Sequence, residues 1–87
     1  MNEKYFIYVS NKVKKSIKKI PRLWQERILS VLTALETNPF LGEKMNGDMA
    51  HCRKIRIWPY RIIYQINQKE NYIAILEVKH RGSVSYD

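Results

Sequence analysis

The chain predicts an α+β fold in the order β-α-α-β-β-β, an N-terminal helical hairpin packed on an antiparallel sheet. Three observations point there. A β-branched and aromatic run opens the sequence, two segments with helical apolar spacing follow, and three strand-length runs fill the second half with only turn residues between them.

The opening run is Tyr5-Phe6-Ile7-Tyr8-Val9, and Ser10 after it suits the N-cap of a helix. In the first helix Val13, Ile17 and Ile20 fall four and three apart, leaving Lys12, Lys14, Lys15, Lys18 and Lys19 on the remaining surface. Pro21 cannot continue that helix but fits the first turn of the next, where its missing N–H is no loss. In the second helix Trp24, Ile28, Val31, Leu32 and Leu35 form the apolar face, and Asn38-Pro39 supplies the stop. Residues 38–50 hold Pro39, Gly42, Asn46 and Gly47 with little periodicity and read as a crossing loop. Residues 52–57, 60–66 and 72–78 then read as a meander of three strands, linked by Trp58-Pro59 and by residues 67–71. No repeat or linker divides the chain, so residues 1–87 are expected to form a single domain.

The formal net charge is +8 over 87 residues. Residues 1–37 carry eight cations against three acids and residues 51–87 seven against three, so both halves are basic. Such a balance favours a polyanionic partner such as nucleic acid. A domain this small is also marginally stable, which makes a protein partner that adds buried surface plausible. The single cysteine, Cys52, excludes an intrachain disulfide and fits a reducing cytoplasm. No apolar run approaches the roughly 20 residues that span a bilayer, so a soluble, cytoplasmic protein without membrane association is expected.

The chemistry-bearing residues concentrate in residues 53–64. A strand alternates faces, so Lys54 and Arg56 share one while Ile55 and Ile57 take the other. With Arg61, and with Arg81 in the later group Lys79-His80-Arg81, these cations come from three adjacent strands or their ends and suit one phosphate. Arginine supplies a fixed fork of donors, lysine a point charge. The competing reading is a solvated outer sheet face. For Arg61 the competing reading is an ion pair with Glu77 on the next strand. His80 is a candidate general acid or base because imidazole chemistry suits both roles, but a histidine at a strand end also serves structure alone. Tyr86 suits stacking on a base. His51, Cys52 and His80 lack metal-ligand spacing, and neither metal nor cofactor is expected.

Taken in order, Lys14-Lys15 to Pro21, Asn38-Pro39-Phe40-Leu41-Gly42, Arg56 with Tyr60-Arg61-Ile62-Ile63-Tyr64, and His80-Arg81 resemble the RelE/ParE superfamily of type II toxins, and the RelE branch more closely. The resemblance spans nearly the whole chain. It implies a small α+β fold of the microbial RNase type and a metal-independent endoribonuclease, an mRNA interferase that cuts ribosome-bound mRNA and inhibits translation. That reaction is attack of a ribose 2′-OH on the adjacent phosphate. It needs a base, cations for the phosphorane and an acid for the leaving 5′-oxygen.

By the same resemblance, Lys54 and Arg56 occupy the two basic strand positions, Arg61 holds phosphate, Arg81 serves the leaving group, and Tyr86 orients the nucleotide. Arginine is a poor base at neutral pH, so Lys54 or His80 takes the proton. Apart from the resemblance, Arg53, Lys79 and the helix lysines Lys14, Lys15 and Lys18 read as further contacts to RNA, with a solvated helix face as the competing reading for the helix lysines. The implied partners are an acidic, amphipathic RelB-like antitoxin, mRNA and the ribosome, with operator DNA reached only through the antitoxin complex. The same superfamily hosts a ParE-like inhibitor of DNA gyrase, and charge alone suffices for a noncatalytic nucleic-acid-binding module.

Overall fold

The computed structural model describes residues 4–80. Its strands and helices are β1 (Phe6–Val9), α1 (Asn11–Lys18), α2 (Arg22–Leu35), β2 (Glu43–Lys44), β3 (Cys52–Ile57), β4 (Tyr60–Asn67) and β5 (Tyr72–His80). The strands form one sheet in the order β1-β5-β4-β3-β2. Two features depart from the sequence reading. β1 runs parallel to β5, so the sheet is mixed rather than antiparallel throughout. Glu43 and Lys44, inside the expected loop, pair with Lys54 and Arg53 as a short edge strand. A two-residue bridge has no period of its own to betray it.

The helices form for the expected reasons. Ser10 caps α1, its hydroxyl accepting from the Val13 N–H at 3.3 Å. Pro21 serves as the N-cap of α2, one position before the first turn. There Gln25 Nε2 closes the inter-helix break by donating to the Ile20 carbonyl at 2.8 Å. Val13, Ile17 and Ile20 from the first helical segment, and Ile28, Leu32 and Leu35 from the second, meet Tyr60, Ile62, Tyr64, Ile73, Ile75 and Val78 in one core. Both helices thus cover the same sheet face, and the other carries no helix. Helix and sheet are joined at the front of the chain, where the Tyr5 N–H donates to the Glu36 carbonyl at 2.8 Å and the Phe6 N–H to the Asn71 carbonyl at 2.9 Å.

Two local features fix the frame. In β5, Glu77 opposes Ile63 while Ile75 opposes Tyr64, so Leu76 is an unmatched bulge residue that shifts the face alternation for the rest of the strand. Behind β3, the buried Tyr64 hydroxyl donates to the Pro39 carbonyl and accepts from the Gly42 N–H, both at 2.8 Å. Gly42 approaches the sheet so closely that a Cβ there would lie 2.7 Å from the Lys54 carbonyl oxygen and 2.9 Å from the Tyr64 ring. Only glycine fits.

Cys52 is 1% exposed, and burial pushes its thiol pKa up. Since the thiolate is the reactive form, Cys52 is expected to react with a thiol reagent at pH 8 on the order of 100-fold slower in the folded protein than in denaturant. A stopped-flow labelling comparison checks this, and equal rates would refute the burial.

Candidate functional site

The helix-free sheet face is built by strand register. Arg56 of β3 opposes Arg61 of β4, which opposes Lys79 of β5, and these three cations form one row across the sheet. One step along, Glu43, Lys54, Ile63 and Glu77 form the next row. Lys54 therefore shares the face and the neighbourhood of Arg56 and Arg61, as the alternation of β3 predicts. Ile55 and Ile57 turn to the core side and pack partly buried against it.

The first row is electrostatically costly. Like charges directly opposite each other across a strand pair destabilise a sheet, by about 0.2–1 kcal/mol on the scale of such pairs. Arg56 and Arg61 stand in that relation, and neither makes an ion pair among the described residues. An anion lying between them would convert the repulsion into binding energy. The acid nearest to Arg61 in the register is Glu77, and its carboxylate is engaged by Lys79 Nζ at 2.5 Å. The structural alternative for Arg61, a pair with Glu77, is thus not what the fold makes: the bulge at Leu76 sets Glu77 opposite Ile63 and Lys79 opposite Arg61.

At the end of the row the β3–β4 turn presents Trp58, 68% exposed. Arg56, Trp58, Pro59, Tyr60 and Arg61 together line a cleft of about 110 Å³. Tyr60 is buried beneath it, its ring 5.9 Å from Trp24 and 5.1 Å, edge-on, from His80. His80 accordingly stacks on the helix side of the sheet. It opposes Tyr60 in the register and is not brought together with Lys54.

The remaining expected residues divide. Arg53 turns away from the cationic row. Its Nη1 donates to the Gly42 carbonyl at 2.6 Å, and its guanidinium lies 5.0 Å from the centre of the Phe40 ring, so it braces the loop. Lys14, Lys15 and Lys18 are exposed on α1, in the helical layer. Lys12, another of the surface lysines of α1, lines with Ser16 a groove of about 310 Å³ shared with Leu76, Glu77 and Lys79. Sequence reasoning missed Trp58, read only as part of a link. The available signal was a large apolar residue in a two-residue turn, where small or polar residues are usual. Arg81 and Tyr86 lie outside the described residues. Among the described residues no group of three His, Cys, Asp or Glu side chains is placed to hold a metal ion. No described helix is long and apolar enough to cross a membrane.

A family model described as the ParE toxin of type II toxin-antitoxin system, parDE, matches residues 7–84. Among solved structures, the chain resembles the archaeal RelE–RelB complex from Pyrococcus horikoshii at 28% identity and a TM-score of 0.76, covering 91% of this chain and 97% of that one. It resembles the RelBE2 toxin-antitoxin complex from Mycobacterium tuberculosis at 21% identity and a TM-score of 0.81, covering 90% and 99%. The isolated E. coli RelE toxin superposes with a TM-score of 0.77 at 23% identity, covering 87% and 83%. These last two likenesses show a shared fold. No curated protein matches the chain.

Proposed function

Because the chain belongs to the ParE toxin family of type II toxin-antitoxin systems, within the RelE/ParE superfamily, we propose that it is the toxin of such a pair and acts as an endoribonuclease on ribosome-bound mRNA. The observation that carries this reading is the row Arg56, Arg61 and Lys79 with Lys54 beside it, on the sheet face no helix covers. Phosphoryl transfer between RNA oxygens asks for little besides charge and position.

In the proposed reaction the ribose O2′ forms a bond to phosphorus as its proton leaves, and the bond from phosphorus to O5′ breaks. The products are a 2′,3′-cyclic phosphate and a free 5′-hydroxyl. Arg56 and Arg61 grip the non-bridging oxygens, where negative charge accumulates in the phosphorane. Lys54 takes the 2′-OH proton as the general base. Its place beside the two arginines supports it over His80, which stacks on Tyr60 at the other side of the sheet. By the superfamily resemblance Arg81 stabilises or protonates the leaving O5′, which gains a proton to become the 5′-hydroxyl, and Tyr86 orients the nucleotide.

An antitoxin segment that is acidic and amphipathic would neutralise the same face, and the solved relatives include complexes with antitoxins. Through that complex the pair would reach operator DNA.

Cleavage of mRNA on purified ribosomes, with and without the protein, tests the activity. Lys54→Ala is expected to lower the rate by about 10²- to 10⁴-fold, the span of general acid–base catalysis. His80→Ala is expected to stay within about tenfold of the parent, and the reverse order would move the base to His80. A second reading rests on the family match itself: a ParE-like inhibitor of DNA gyrase with no nuclease chemistry. Inhibition of supercoiling by the purified protein, without ribosomal cleavage, would establish that instead. RNA binding with neither activity would leave only a nucleic-acid-binding module.

A further inference from the structure

We propose that Trp58 is a stacking platform for a nucleobase of single-stranded RNA, set beside the phosphate held by Arg56 and Arg61; the inference rests on the endoribonuclease reading and adds its base contact.

Exposure is the first ground. Trp58 is 68% exposed at the tip of the β3–β4 turn, so its indole adds little to the core and presents a broad aromatic surface to solvent. Position is the second, since the ring borders the cleft that Arg56 and Arg61 also line. That cleft, about 110 Å³, is well below the roughly 300–1,000 Å³ of pockets that engulf a ligand. It has room for a phosphate or a ring edge, and a flat group must lie across the rim, where the indole is. Rigidity is the third ground. Trp58 is followed by Pro59 and by Tyr60, which is buried and packed on Trp24, and residues 57 and 60 are register partners. A platform fixed in this way loses little freedom when a base settles on it.

A cationic track beside an aromatic face is the pattern by which single strands are held without base pairing. In a nucleotide, base and phosphate hang from the same sugar, and here the two kinds of receptor share one cleft. The occupant is therefore an unpaired nucleotide with its backbone on the arginine row. Bases with larger faces, the purines, should be held more tightly.

Fluorescence of a Trp24→Phe background, in which Trp58 is the only indole, tests the platform by titration with a short single-stranded RNA whose 2′-hydroxyls are methylated against cleavage. The expected result is quenching of Trp58. Trp58→Ala should weaken binding by about 5- to 150-fold, the loss typical of one stacked base, while Trp58→Phe recovers most of it. An RNA lacking one base should lose a similar factor against the parent but not against Trp58→Ala, and this arm does not depend on how the variant folds. Absent quenching, or Trp58→Ala binding within twofold of the parent, overturns the proposal. So does a Trp58→Ala variant that escapes a cognate antitoxin while holding RNA normally, since the platform would then serve a protein. Ribosomal cleavage is read separately with uncut RNA. If it is absent while the quenching and the Trp58→Ala loss persist, the nuclease reading fails and the platform stands.

Discussion

Arg61→Ala is expected to lower ribosome-dependent cleavage by about 10²- to 10³-fold and to abolish growth arrest on expression, with little change in the thermal midpoint. The magnitude is that of removing one preorganised donor from a site where charge develops in the transition state. Arg61 is the middle member of the row, with Arg56 on one side and Lys79 on the other, so a phosphate that touches any two of them touches Arg61. Stability should hold because Arg61 opposes like charges and makes no ion pair among the described residues, so its loss relieves repulsion. Arg61→Lys keeps the charge but not the fork, and should recover part of the rate. Full cleavage and full growth arrest by Arg61→Ala would show that the row is not the site.

Tyr64→Phe is expected to act on stability instead, lowering it by about 2–4 kcal/mol. Its hydroxyl is the partner of two backbone groups, the Pro39 carbonyl and the Gly42 N–H, at buried residues. Each buried polar group left unmatched costs about 1–3 kcal/mol. For a domain of this size that corresponds to a fall of about 10–25 °C in the unfolding midpoint, a large part of the total stability. Thermal unfolding followed by circular dichroism checks it, and a shift below about 3 °C would contradict the geometry.

The same side chain carries a pH dependence. Burial raises the Tyr64 pKa above its usual 10.0, partly offset by the Gly42 hydrogen bond and by the Arg53 charge. A folded pKa above the unfolded one means that the stabilisation is intact below about pH 10 and is lost as pH rises through the folded value. Tyr64→Phe should therefore show a shallower alkaline loss of stability than the parent.

How far the sequence carried these results depends on whether the signal was local. The spacing of Val13, Ile17 and Ile20 declared α1, Ser10 declared its start, and the alternation of Lys54, Ile55, Arg56 and Ile57 declared which cations share a face. Each is set by neighbours in the chain, and the structure agrees with each. What escaped was set by distant partners. The parallel pairing of β1 with β5 and the bridge at Glu43–Lys44 depend on which strands end up adjacent. The bulge at Leu76, which sets Glu77 opposite Ile63 and Lys79 opposite Arg61, is an extra residue visible only once β4 lies alongside. Arg53 read as one more cation in a basic run, although alternation turns it to the face away from Lys54, and its engagement with Gly42 and Phe40 needed the folded loop. Trp58 was legible in principle, as an unusual turn residue, but its meaning came from the arginines beside it.

The pairing of β1 with β5 has a consequence for how the molecule comes into being. Residues 6–9 find their ladder partners only in residues 72–75, so the first strand made must wait for the last described one. Loop closure over that span is entropically slow compared with the local hairpin of α1 and α2. The cationic row obeys the same schedule, since Arg56 and Arg61 are joined by Lys79 only when β5 is in place. A nascent chain that has not yet delivered residues 72–80 therefore has neither a finished sheet nor a finished cationic row. The sheet and the row across it are completed in the same event.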